Sequence, residues 1–252
     1  MIGVSELFWN ASLEELKRGY ILQDEHVVCL LCGKRLEKGV VYPADGVFYE
    51  AERYMRVHIE QAHQSVFDYL IRLDKKLTGL TDHQNRLLRL FYQGNSDADV
   101  QKELGIGSAS TIRNHRFALK EKERQAKVFL TLMELLKERD KYAPTFIDVH
   151  HTARMVDDRY NVTLDEYDKL LKKYFPAGTD GSLKTFPSKE KHRLVVLREI
   201  AKRFQPERIY TEKEVNQILQ AVYDDYVTVR RYLIDYGFLD RKDDGSQYWL
   251  KA

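Results

Sequence analysis

Cysteine is almost missing from this chain of 252 residues: there are two, Cys29 and Cys32, both in the tetrapeptide CLLC. Long apolar runs are missing too, and no stretch approaches the ~18 residues that span a bilayer. The opening MIGVSELFWNASLEELKRGY lacks a basic region followed by an apolar run and a small-residue cleavage site, so it reads as mature protein. A soluble, cytoplasmic protein with no membrane partner is therefore expected, in a reducing compartment that disfavours a Cys29–Cys32 disulfide. An excess of one charge is also lacking. Against 41 Lys and Arg stand 39 Asp and Glu, a formal net charge of +2, so only local charge patterns can point to a partner. There is no Gly-rich phosphate loop, GxSxG elbow or HExxH pair, no internal repeat and no low-complexity tract. Enzymatic activity is not expected.

What the chain does have is enough apolar material for real cores, 43% of residues, and a length beyond one average domain. Ser12 followed by Glu15 is a capping-box pattern opening a short helix to about Arg18. EHVVCLLCGKRLEKGVVYPADGVFYE alternates β-branched residues with turn signals, notably Asp45-Gly46, and predicts short strands or hairpins. A helical pattern follows from Ala51 to about Leu77. Residues 80–107 predict two helices separated by Gly94-Asn95, and Ser108 opens a long helix to about Arg139, stopped by Pro144. One or two further helices are expected over 145–175, and FPAGTDGSLKTFP (175–187) is the best linker candidate. Then come helices near 188–204, from Thr211 and near 225–236, and a hairpin turning at Asp244-Gly245.

The CLLC pair gains partners in HIEQAH, which holds His58 and His63, with 25 residues between Cys32 and His58. A CxxC knuckle, strands and an HxxxxH helix together resemble a two-Cys-two-His zinc finger. The resemblance implies metal binding by Cys29, Cys32, His58 and His63, with Zn2+ as the cofactor; two thiolates and two imidazoles suit tetrahedral zinc. The segment between the pairs is longer than in a DNA-reading finger, so groove recognition is not carried over. Five steps along an α-helix turn a side chain by ~140°, so His58 and His63 do not share a face unless a π-bulge or tightened turn intervenes. His26 is the reserve ligand. Two buried, unligated cysteines are the bland alternative.

Residues 80–122, LTDHQNRLLRLFYQGNSDADVQKELGIGSASTIRNHRFALKEK, carry the next signal. Val100, Leu104, Ile106 and Ile112 are placed to pin two helices across a glycine turn. From Ser108 to Lys120 the second helix has no acidic residue and offers Ser108, Ser110, Thr111, Arg113, Asn114, His115, Arg116 and Lys120. Arg reads guanine edges, Asn reads adenine, and hydroxyls and cations hold phosphates. Leu80-Thr81, Leu87-Leu88, Gly94 before Ser96, Val100, Leu104-Gly105-Ile106, Ser110-Thr111-Ile112 and His115 resemble the LuxR-type helix-turn-helix. That resemblance implies double-stranded DNA as partner, with Arg113 standing where the family commonly has Lys. Continuing the helix, Leu119, Ala126 and Met133 repeat every seven residues beside Lys122, Phe129 and Leu136, a seam for a homodimer. The alternative is a long helix packed on its own chain through Val128, Leu132 and Leu135.

At the C-terminus FPSKEKHRL, YTEKEVN, RRYLIDYGFLDR and YWL, within residues 186–250, resemble a bacterial domain of unknown function often found at the end of transcriptional regulators. Three helices and a hairpin make a winged-helix-like layout. Arg230, Arg231, Arg241 and Lys242 could meet DNA, but six aspartates crowd them, and a protein-interaction wing is the equal alternative. Adjacent His150 and His151 are expected at the surface or in packing. The expected architecture is mainly α and multi-domain: a zinc-finger-like module (1–77), a helix-turn-helix with a long helix (78–143), a connector (144–187) and a winged-helix-like domain (188–252). The expected function is a sequence-specific transcriptional regulator. Its rivals are a protein-interaction adaptor and a zinc-containing nuclease with His58 or His63 as base.

Overall fold

The computed structural model describes residues 4–206 and 208–251. Residues 1–3, 207 and 252, at or near the edges of the expected segments, lie outside the described residues. The chain is mainly helical with small antiparallel sheets, as expected. Residues 1–77 and 145–252 make one compact unit and residues 78–144 a second. The N-terminal module, the connector and the C-terminal domain, expected to stand apart, therefore share one body.

In that larger unit, α1 (Val4–Asn10) and α2 (Leu13–Arg18) lead into β1 (Tyr20–Leu22), β2 (His26–Cys29) and β3 (Arg35–Glu37), a three-stranded antiparallel sheet in the order β1-β2-β3. The capping box at Ser12 and Glu15 is present. The hairpin of β4 (Val41–Ala44) and β5 (Val47–Glu50) turns at Asp45-Gly46, both with positive φ. Next comes α3 (Ala51–His63). Alternation in β2 sorts its side chains to two cores: Val27 and Cys29 join Met55 and Ile59, while Val28 joins Phe8 and Leu30. The single helical pattern expected to Leu77 is broken at Gln64, whose φ is 67°. Ser65 then caps α4 (Val66–Leu70), and α5 (Lys75–Thr78) follows.

The second unit holds α6 (Asp82–Tyr92), α7 (Asp97–Leu104) and α8 (Ala109–Arg139). Each opens on a hydroxyl cap: Thr81 with Gln84, Ser96 with Asp99, and Ser108 on the Thr111 amide. Gly105, in the left-handed region, ends α7 and sets up the short turn into α8. Leu87, Val100 and Ile112 are wholly buried and form the core of these three helices. Burial of three such side chains contributes ~1.5–3 kcal/mol each.

Residues 145–163 are irregular rather than helical, except for one 3-10 turn at Asp158–Tyr160, and Phe146 bridges Thr163. A helix, α9 (Leu164–Tyr174), follows. The expected linker is instead packed. Leu183 is buried, its amide donates to Val222 O at 2.7 Å, and Arg203 donates to Thr179 O. The stretch is a loop anchored at Phe175, Leu183 and Pro187, which are buried, and not a free tether. The C-terminal elements are α10 (Glu190–Ala201), β6 (Ile209–Tyr210), α11 (Glu212–Gln220), α12 (Tyr226–Asp235), β7 (Leu239–Arg241) and β8 (Tyr248–Leu250), with sheet order β6-β8-β7. Three helices closed by a hairpin at Gly245 give the winged-helix-like layout. The connector residues Ile147, Val162, Phe175 and Leu183 are buried in the same core as Leu194, Val215 and Leu233.

Candidate metal centre and basic helix

β2 delivers Cys29 at its C-terminal end, and the chain then doubles back. The Gly33 amide donates to Cys29 O at 2.9 Å, and the Cys29 amide to Lys34 O at 2.8 Å. Gly33 has φ 82°, and a Cβ there would sit 2.4 Å from Val4 Cγ2, so the knuckle needs glycine. Across from it, α3 carries His58 and ends on His63. Cys32 Sγ lies 3.2 Å from His58 Nε2 and Cys29 Sγ 3.8 Å from His63 Nε2. The four ligand atoms all lie within 4.8 Å of one another, a group that could hold a metal ion.

The angular objection dissolves without a π-bulge, because α3 is α-helical throughout. Each imidazole meets a different cysteine, so the two thiols span the angle between the helix faces. His26 lies outside this group, at the far end of β2. Burial and electrostatics suit a cation. Cys29 is buried, and a shared hydrogen bond with Cys29 followed by burial pushes the Cys32 thiol up to about 11. A divalent ion would supply the positive charge that two adjacent thiolates need. Beside them Tyr69 stands edge-on to His63, its hydroxyl buried without a hydrogen-bond partner and its acidity suppressed first by burial and then by the two cysteines.

His150 and His151 are buried, not at the surface. Burial pushes them down to about 3 and about 4. His151 reaches the knuckle itself: Nε2 lies 3.3 Å from Leu31 O, Nδ1 lies 3.1 Å from Ser5 Oγ, and the ring stacks on Phe8. Sequence spacing could not show this, since 120 residues separate His151 from Leu31.

In the second unit the first turns of α8 hold the expected polar set. Ser108 Oγ lies 2.8 Å from Ser110 Oγ and 2.9 Å from Thr111 Oγ1, gathering three hydroxyls at the helix start. Arg113 and Asn114 are exposed and make no hydrogen bond or ion pair among the described residues. Arg116 differs. Its guanidinium sits 3.6 Å over the Phe91 ring and 2.7 Å from Asp97, so it clamps α8 to α6 and α7 rather than waiting for a phosphate. Lys120 pairs with Glu123 at 2.7 Å, and Lys122 donates to Gly79 O. The Glu123 pairing was readable as an i,i+3 neighbour; Phe91 and Asp97 come from other helices and were not. His115 faces His83 of α6.

Past Lys122, α8 is exposed along its length, including Val128, Phe129, Leu132 and Leu136. In the C-terminal elements Arg230 is held by Glu212 at 2.7 Å, whereas Arg231, Arg241 and Lys242 are exposed.

No helix among the described residues is long and apolar enough to cross a membrane. No match was found among curated proteins or among solved structures. Residues 182–250 match a family described as an uncharacterized protein conserved in bacteria (DUF2087), and the C-terminal resemblance read from the sequence over 186–250 falls inside that span.

Proposed function

We propose that the chain is a sequence-specific DNA-binding transcriptional regulator, without enzymatic activity, that works as a homodimer and uses zinc to hold its N-terminal module. The observation that carries this reading is the start of α8. Three hydroxyls at its N-terminus and the unengaged Arg113 and Asn114 occupy one exposed end of a 31-residue helix, packed on α6 and α7. Backbone amides and hydroxyls there suit phosphate, and Arg113 and Asn114 suit base edges. The LuxR-type motif order supports the same assignment for residues 80–122.

Zinc is favoured for Cys29, Cys32, His58 and His63 because two soft thiolates and two imidazoles select it over harder ions. The dimer rests on the exposed apolar residues of α8, which water would otherwise solvate at a cost of ~25 cal/mol per Å². A protein-interaction adaptor is the second reading. It draws on a shallow apolar groove between α6 and α8 lined by Leu80, Leu88, Phe91, Leu119 and Ala126.

Selection of bound fragments from genomic DNA, followed by fluorescence anisotropy over a salt series, tests the main reading. Arg113→Ala should cost ~1–3 kcal/mol and relax preference at one base pair. A folded protein that binds no duplex DNA at low salt would refute it and favour the adaptor. Phe129→Asp should abolish self-association in light scattering, and metal analysis of protein purified without chelator should find one zinc per chain.

A further inference from the structure

His83, on the first turn of α6, and His115, in the second turn of α8, bring their Nε2 atoms to 3.2 Å. We infer that this pair is a second metal site, a two-imidazole clasp for a divalent transition ion of the Ni2+, Cu2+ or Zn2+ class. Two imidazole nitrogens bound tetrahedrally at ~2.0–2.1 Å stand ~3.3 Å apart, close to the spacing found here. The ring orientation carries the argument further. A linear N–H···N bond through both Nε2 atoms would hold the ring centres roughly 5.5 Å apart. The centres are 4.7 Å apart with planes at 60°, so both rings cannot point straight along the N···N line. A single hydrogen bond between them is bent, whereas an ion held by both nitrogens needs no linear N–H···N.

The donor set selects the ion class. Two neutral imidazoles suit Ni2+, Cu2+ and Zn2+ and give little to Mg2+ or Ca2+, which want oxygen. His83 is exposed and His115 half-buried, so water can complete the coordination. Neither ring makes another hydrogen bond to the described residues, so no outer partner strengthens the ligands and the site is weaker than the Cys29–His63 centre. Its mechanical effect is specific. An ion there ties α6 directly to the first turns of α8, outside the small core of Leu87, Val100 and Ile112. Binding to the folded unit alone raises its stability by mass action. The clasp stands whether or not α8 reads DNA.

The test uses the full chain, with the Cys29–His63 centre preloaded with zinc, and Ni2+ as the probe in isothermal titration. Wild-type protein should show a Ni2+ event that His83→Ala and His115→Ala each weaken roughly tenfold or more, with circular dichroism unchanged. In wild-type protein alone, Ni2+ should slow diethylpyrocarbonate modification of both His83 and His115, read by mass spectrometry. Equal Ni2+ binding in all three proteins, or unprotected histidines at saturating Ni2+, would show that the pair is a hydrogen bond only and overturn the clasp.

Discussion

Acid should weaken the larger unit through His150. The ring is 3% exposed, with Nε2 at 2.9 Å from Tyr236 O and Nδ1 at 3.0 Å from the Tyr160 hydroxyl. A carbonyl only accepts, so Nε2 carries the proton and Nδ1 keeps its lone pair for the Tyr160 hydroxyl. The neutral ring is thereby satisfied on both sides while it stacks on Phe238 at 4.1 Å. Burial, the largest cause, takes its pKa from 6.5 to about 3. The sign follows from which state binds the proton. Below pH ~6.5 the unfolded chain takes one up and the folded chain does not, so stability is full above that pH. It is lost at ~1.4 kcal/mol per pH unit as pH falls toward the folded value, about 2 kcal/mol by pH 5. His151, lowered to about 4, acts in the same direction. Urea unfolding followed by circular dichroism at pH 7, 6 and 5, for wild type and His150→Gln, isolates the effect. Acid release of a bound metal lowers both proteins alike, whereas the wild-type slope should exceed that of the variant by about one proton. Equal slopes would mean that the folded state accommodates a charged His150, and the burial argument would fail.

The remaining expectations concern single contacts. Leu87→Ala, at a wholly buried position in a core of three such residues, should destabilise residues 78–144 by ~2–5 kcal/mol, seen by hydrogen exchange as loss of protection there first. Arg116→Ala should lower the stability of that unit by about 1 kcal/mol or less, because its partner is half-exposed, and leave the salt slope of DNA binding unchanged. A reduced salt slope would instead restore Arg116 as a phosphate contact. Removing metal from the Cys29–His63 centre with a chelator should loosen residues 146–153 together with residues 25–70. Hydrogen exchange confined to 25–70 would show that the His151 contact transmits nothing.

Local chemistry was legible wherever neighbours in sequence settle it. Ser12, Thr81, Ser96, Ser108 and Thr211 all begin helices because a hydroxyl meets an amide three residues on, a relation contained within one turn. The metal group was legible for a similar reason, since CxxC and the histidine pair are each local and only their meeting is tertiary. What escaped were relations between distant segments. The Gly- and Pro-rich stretch at 175–187 reads as a tether by composition, yet Leu183 within it is buried by Val222 and its neighbours from the C-terminal core. Arg116 reads as free on its own helix, and only the arrival of Phe91 and Asp97 occupies it.

The same distance effect changes what the metal centre can mean for the molecule. From spacing alone, Cys29 to His63 describe a self-contained module whose loss would concern only itself. Leu31, between the two cysteines, instead offers its carbonyl to His151, and Trp9 Nε1 donates to Val149 O two residues earlier. His151 adjoins His150, which holds Tyr236 at the end of α12. A knuckle opened by metal loss would strand a buried imidazole without its acceptor, at ~1–3 kcal/mol for the unpaired group. The segment that bears that cost also carries Ile147 and Val162 into the C-terminal core. The metal-binding group is therefore built into the same body as the winged-helix-like elements, joined to them through His151 and its neighbours.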